Sequence, residues 1–436
     1  MPIKENDFIV IHNEEYFRVL QLSSDSPATI DGSKVFLKHA IGLPYGTLFS
    51  VDREHVYPVS LDQPKSTILQ EHDHAKDNRE ILDDTTNQKL GYSDIKQMQS
   101  IGAAPEDIVT ELIKGNANFQ KKTKFSQEKY LAKKRKRHFE LFYIDKPSTR
   151  ILCELYTKIR KDKCLGLRFD TVCHILTYAN VHAGSKMILI ETCAGLLLNA
   201  VLERLGPLSL GGSVIQFYHG TSPPGLDINP SMASAYEKQV YSVCLRDVMN
   251  LLTNPEKFLE EETLQRENSA DTGSGNLETN AYDGISSNEL DSEPVKTLPD
   301  RKLIKLAKRR VAYNQLVAPD ATAPDGMIIA TRFHPVNLTL LLLQFLPIGK
   351  SFVVYSQYLQ PLVDLYNALK RRGGVTQMRL ADSWFRSIQV LPDRTHPEIK
   401  MQASGGYLLS AYTVEPKPSM KTLLDSGLLT SLNQCS

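Results

Sequence analysis

The segment Ile188–Leu198 reads ILIETCAGLLL, with an acidic residue, Glu191, closing an apolar run and one glycine, Gly195, four positions later. A nucleotide-type cofactor bound at a strand end needs glycines just after the strand, because only a bare backbone lets the ligand approach. Glu191 stands where an enzyme that uses S-adenosylmethionine has its strand-end acid, and Gly195 is the glycine that remains. Cys193 and Leu197 occupy positions where further glycines are expected, and their side chains would fill the approach path. The segment therefore reads as a degenerate cofactor loop, or as a plain strand–helix turn that never held one. On either reading no cofactor is expected in this chain.

A second segment, Ile328–Pro335 (IIATRFHP), ends another apolar run. Amine- and base-methylating enzymes carry an acid or amide at such an end, facing the target nitrogen; neither Asp nor Asn is present here. His334 has the titration range of a general base, but a His before Pro at a strand–helix junction also has a structural role. Neither a Ser/His/Asp triad nor a phosphate loop nor an HExxH pattern occurs. The six cysteines (153, 164, 173, 193, 244 and 435) show no CxxC spacing, so no metal site is expected.

Charge is the other signal. The chain has 51 Lys and Arg against 50 Asp and Glu, a net +1 that conceals two opposed blocks. Residues 120–163 hold fifteen basic and five acidic residues, and residues 254–300 hold three basic and twelve acidic. Within the first block Lys133, Lys134, Arg135, Lys136 and Arg137 run consecutively, with Lys129, Tyr130, His138, Phe139 and Phe142 nearby. Such a run serves RNA contact, nuclear import or plain solvation. Arg379, Trp384 and Arg386 form a second cationic and aromatic group, with Trp384 on the surface or in the core.

The elements that must position these residues fall into three parts. At 436 residues, 41% hydrophobic and 23% charged, the chain can bury several cores. No apolar run is long enough to span a bilayer and no secretory signal is visible, so an intracellular, reducing compartment and no membrane are expected. The location expected is the nucleus, for which the basic run could serve as an import signal. Residues 1–75 form the first part: the first sixty alternate like strands, with Phe8–His12 and Tyr16–Leu20 flanking an Asn13-Glu14-Glu15 turn, and residues 61–80 read as a polar linker. A small β-barrel is the expected result. Residues 76–160 read as a helical connector: Ser93 and Pro105 open short helices, and Ser126 opens the one that carries the basic run. Residues 161–436 alternate strands (187–190, 214–217, 327–330, 352–355, 387–391, 407–413) with helices (197–205, 335–345, 358–371). That pattern predicts an α/β, doubly wound, Rossmann-like sheet with an antiparallel edge, and the degenerate loop after its first strand makes the expected domain a methyltransferase-like one. The acidic stretch near 254–300 interrupts it and reads as a disordered insertion.

Several stretches together resemble one family, the non-catalytic subunit of the eukaryotic tRNA adenine-58 N1-methyltransferase. They are Leu37–Gly46 (LKHAIGLPYG), Asp77–Asp84 (DNREILDD), Thr123–Tyr130 (TKFSQEKY), Lys146–Arg150 (KPSTR), Glu191–Gly195 (ETCAG), Phe333–Pro335 (FHP) and Val390–Pro397 (VLPDRTHP). The resemblance implies a tetramer of two such chains with two catalytic subunits, S-adenosylmethionine being bound only by the latter. It implies tRNA contacts at Asp77, Asn78, Arg79 and Thr85, at Lys129 to Arg137, at Arg160, at Arg379, Trp384 and Arg386, and at Lys400. An active methyltransferase with an unusual loop and a stand-alone RNA-binding factor are the competing readings.

Overall fold

The computed structural model describes residues 2–13, 16–30, 33–52, 54–59, 89–100, 105–116, 118–119, 126–127, 130–131, 134, 141–221, 223–226, 228–253, 298–317, 323–390, 395–398, 404–414 and 422. The chain divides into two compact units, Met1–Ile151 and Leu152–Ser436.

In the first unit β1 (Phe8–His12) and β2 (Phe17–Gln21) form the expected hairpin, in register from Phe8 opposite Gln21 to His12 opposite Phe17. Asn13 closes it: its side-chain oxygen accepts from the Tyr16 amide at 2.7 Å, the local bond that suits Asn to turns. A small ladder of β3 (Ala28–Ile30) and β4 (Ser33–Val35) follows, then β5 (Thr47–Asp52) and β6 (His55–Pro58). The fifth strand of the main sheet is β7 (Leu141–Asp145), which pairs with β1 and β5 to give the antiparallel order β2-β1-β7-β5-β6. Ile9, Ile11, Phe49, Phe142 and Ile144 share one buried cluster with Ile3, Leu22, Leu37 and Val56.

Two expectations change here. Among the described residues the edge strands β2 and β6 do not pair with each other, so the sheet is open and not a closed barrel. Closure requires the two edges to meet, and the three-residue β3–β4 ladder is separate and too short to bridge them. Moreover, β7 comes from the stretch read as connector, so the first unit extends to residue 151. Its alternation is only five residues long and lies inside the basic block, where the charge pattern hides it. Helices α1 (Tyr92–Ser100) and α2 (Pro105–Lys114) lie where the sequence puts them. Of the basic segment, residues 126, 127, 130, 131 and 134 are helical, and the rest lies outside the described residues.

The second unit is built on a seven-stranded sheet. Its strands are β8 (Lys186–Glu191), β9 (Ser213–Tyr218), β10 (Val240–Cys244), β11 (Gly326–Ala330), β12 (Ser351–Ser356), β13 (Val375–Asp382) and β16 (Tyr407–Thr413), in the order β10-β9-β8-β11-β12-β16-β13. The first five are parallel, and β16 runs antiparallel to both β12 and β13. Helix α3 (Thr149–Ile159) spans the unit boundary; the others here are α4 (Phe169–Tyr178), α5 (Leu196–Leu205), α6 (Ala233–Gln239), α7 (Val248–Thr253), α8 (Leu298–Val317), α9 (Pro335–Leu342) and α10 (Leu359–Arg372). The parallel strands are buried on both faces, as their unbroken apolar runs require. The order of strands turns back between β8 and β11. That is the switch point outside whose carboxyl ends α/β sheets bind ligands.

The antiparallel edge is present, but its partner strand is not the expected one. Residues 387–391 supply only β14 (Ile388–Gln389), which pairs with β15 (His396–Pro397) apart from the main sheet. The edge is made by β13, whose sequence VTQMRLAD carries too few apolar residues to show as a sheet strand, because an edge strand needs little burial. Helix α8 begins inside the stretch read as insertion, and residues 254–297 lie outside the described residues.

Candidate functional site

The turn between β8 and α5 is sealed from within. Glu191, 7% exposed, sends its carboxylate over the start of α5, where Oε1 accepts from the Leu198 amide at 2.8 Å and Oε2 from the Leu197 amide at 3.2 Å. These amides are the orphan donors of a helix N-terminus, the groups that an incoming anion would otherwise meet. Burial pushes the Glu191 carboxyl up to about 7, while the Leu198 and Leu197 amides pull the other way. Ala194 and Gly195 are both left-handed, at φ +58° and +84°, and turn the chain tightly into the helix.

The cover over this turn comes from a distant segment. A Cβ at Gly195 would sit 3.3 Å from the Gly225 carbonyl oxygen, 3.4 Å from Leu226 and 3.5 Å from Ile228. Leu226 and Ile228 are themselves buried, and Asn229 Nδ2 donates to Asn199 Oδ1 at 2.9 Å to fix the segment on α5. Leu197 is fully buried in the unit, and Cys193 turns its thiol to the Ala330 carbonyl at 3.5 Å. Burial raises the Cys193 thiol well above its usual range, which removes it as a nucleophile. In dinucleotide-binding Rossmann folds the next strand supplies a carboxylate for the ribose; β9 ends instead at Tyr218 and is followed by His219-Gly220. Sequence reasoning found the loop but missed its cover, because nothing local marks residues 225–229 as its neighbours.

The adjacent turn, after β11, is open. Thr331 to Pro335 line a cleft of about 490 Å³ together with Leu165 and the turn into α10. The Arg332 amide donates to Thr192 Oγ1 at 3.0 Å, and its guanidinium donates to the Asp162 carbonyl at 2.6 Å. His334 precedes α9, with Pro335 at the first helical position. Its Nε2 lies 3.5 Å from Asp364 Oδ2, both side chains being about half exposed, so the imidazole sits on the rim beside that carboxylate.

The RNA candidates fall into three groups. Asp77, Asn78, Arg79, Thr85, Lys129, Lys133, Arg135, Lys136, Arg137 and Lys400 lie outside the described residues. Tyr130 is half-buried against Phe119 at 5.6 Å, with the Lys134 ammonium 5.4 Å from its ring. Arg160, Arg379, Trp384 and Arg386 are all exposed, Trp384 at 81%, which settles its place on the surface. The Arg379 guanidinium lies 5.7 Å from the Tyr178 ring.

Trp384 is held out by residues the sequence did not single out. Arg168, 6% exposed, forms a two-pronged pair with Asp170 (2.9 and 2.8 Å) and donates to the Ser383 carbonyl at 2.9 Å. Burial acts to raise the Asp170 carboxyl, but hydrogen bonds from Arg168 and Ser383 and the Arg168 charge hold it below its ordinary value. Thr171 ties the same segment down through Ser383 Oγ and the Gly405 carbonyl. Among the described residues no group of three His, Cys, Asp or Glu side chains could hold a metal ion, and no helix is long and apolar enough to cross a membrane.

A parallel sheet reversed at β8 and β11, with an antiparallel pair at one edge and a self-capped turn after β8, defines a Rossmann-like α/β domain whose turn after β8 is closed. The Gcd10p family model matches residues 2–281, and the chain belongs to that family. It is similar to the mouse tRNA (adenine(58)-N(1))-methyltransferase non-catalytic subunit, 34% identical with 96% of this chain and 91% of that protein covered. The subunit of the same description from Dictyostelium discoideum is 26% identical, over 96% of this chain and 81% of that one. Among solved structures, a tRNA (m1A58) methyltransferase from Aquifex aeolicus matches 95% of this chain and 100% of that one at 11% identity, with a TM-score of 0.38.

Proposed function

We propose that the chain is the non-catalytic subunit of a tRNA adenine-58 N1-methyltransferase, binding tRNA and holding it beside a catalytic partner. The observation that carries the absence of catalysis is the sealed turn: the α5 amides are taken by Glu191 and the Gly195 face by Gly225, Leu226 and Ile228. S-adenosylmethionine then belongs to the partner, and two subunits of each kind make the complex. tRNA lies along the cationic residues of the 126–137 segment and across Arg379, Trp384 and Arg386, where charge and an exposed ring meet. The basic run also suits import, and the location is nuclear.

The test is a methylation assay on one tRNA transcript with each subunit alone and with both together. Activity in the mixture and none in this chain alone supports the reading; methyl transfer by this chain alone overturns it.

A further inference from the structure

The cleft after β11 has no part in the sealed turn, yet it is open and carries a distinct set of groups. Phe333 is 44% exposed and Tyr358 70%, two large rings left to solvent on the lining of one cavity. The His219 ring meets Phe333 at 5.4 Å and helps to fix it. Between the two turns stands Arg332, immobilised at its backbone by Thr192 and at its guanidinium by the Asp162 carbonyl. The two carboxylates nearby do not cancel this charge in the same way: Asp364 is directed at His334, and Asp162 is flanked by the exposed cations Arg160, Lys161 and Lys163. That rim is ordered, with the Lys163 amide donating to the Arg160 carbonyl at 3.0 Å and the Gly166 amide to the Lys161 carbonyl at 3.0 Å.

Exposed rings beside a fixed guanidinium are the chemistry that receives an unstacked base, and neighbouring lysines receive the phosphates on either side of it. A cavity of about 490 Å³ falls within the range that encloses a ligand of nucleotide size. No acid or amide ends β11 to act on a nitrogen, and the place for a methyl donor is filled. We propose that this cleft is a non-catalytic nucleotide site: it takes one unstacked nucleotide of the bound tRNA, the base against Phe333 and Tyr358 and the flanking phosphates on Arg332 and the Arg160–Lys163 rim. The site rests on the tRNA-binding reading given above.

The experiment uses the full complex of this chain with its catalytic partner and a tRNA transcript substituted throughout with 4-thiouridine. Irradiation followed by peptide mapping is expected to place adducts on peptides holding 331–335 or 356–361. In parallel, Phe333→Ala with Tyr358→Ala is expected to weaken tRNA binding roughly tenfold. Lys161→Ala with Lys163→Ala is expected to flatten the salt dependence of binding. Both ring positions are exposed, so the double variant is expected to melt with the wild type, and a single Tyr358→Ala, at the more exposed ring, repeats the measurement should it not.

Adducts at these peptides together with the loss of affinity support the site. Adducts elsewhere only, or unchanged affinity in the ring variants, overturn it while leaving tRNA binding by the complex intact. Failure of the wild-type complex to bind tRNA would instead remove the function on which the site depends.

Discussion

Two neighbouring turns at the carboxyl edge of one sheet have been put to opposite uses. After β8, a carboxylate caps the following helix and a remote segment lies over the glycine. After β11, the chain leaves two rings, an arginine and a histidine around open space. The same strand arrangement underlies both, so the difference resides in a few side chains and in where Gly225, Leu226, Ile228 and Asn229 are laid down. The fold positions sites; which of them remains usable is decided by packing.

The sealing can be broken most directly at Ile228. Ile228→Ala removes a buried side chain from the cover and is expected to lower stability by about 3 kcal/mol, read by denaturant unfolding. The comparison predicts that this variant still binds no methyl donor, because Glu191 continues to hold the α5 amides.

Glu191 gives the next largest effect, and one with a definite pH window. Its carboxyl is held at about 7 in the folded chain against an ordinary 4.5. Between those values the folded state binds the extra proton, so stability falls as pH rises from about 4.5 to 7 and is flat above. The full swing is on the order of 3 kcal/mol. Glu191→Gln abolishes the swing: against the wild type, the variant gains stability progressively from about pH 4.5 to about pH 7. A constant difference between the two across that range contradicts the burial of an ionisable cap.

On the RNA-binding side, Arg168→Met keeps the packing volume but removes the donor to the Ser383 carbonyl, leaving only Thr171 to tie Ser383. The Trp384 segment is then held more loosely, and tRNA affinity is expected to drop by about 1–2 kcal/mol, measured by filter binding. Replacement of Lys133–Arg137 by alanine is expected to weaken tRNA binding about tenfold and to reduce its salt slope. An unchanged slope rejects phosphate contact by that run.

How much of this was legible depends on distance along the chain. The β8 run and its Glu191-to-Gly195 turn are contiguous and were readable, as were the β1–β2 hairpin and the parallel core strands, whose apolar runs admit few other readings. Strands β10 and β13 were not: VYSVC and VTQMRLAD pack at the sheet's two edges, where burial imposes little pattern. Helix α8 was masked by the acidic stretch before it, and β7 by the basic block. At the site, the cover at 225–229 and the Arg168–Ser383 tie join residues some 30 and 215 positions apart, and only folding brings them together. The aromatic lining of the open cleft was missed for the same reason, since Phe333 and Tyr358 belong to different turns.

The most direct measurement is a calorimetric titration of S-adenosylmethionine into the assembled complex, followed by the same titration into this chain alone. The sealed turn predicts one donor site for each pair of unlike subunits and none on this chain. Two sites per pair, or saturable binding to the isolated chain, contradicts it.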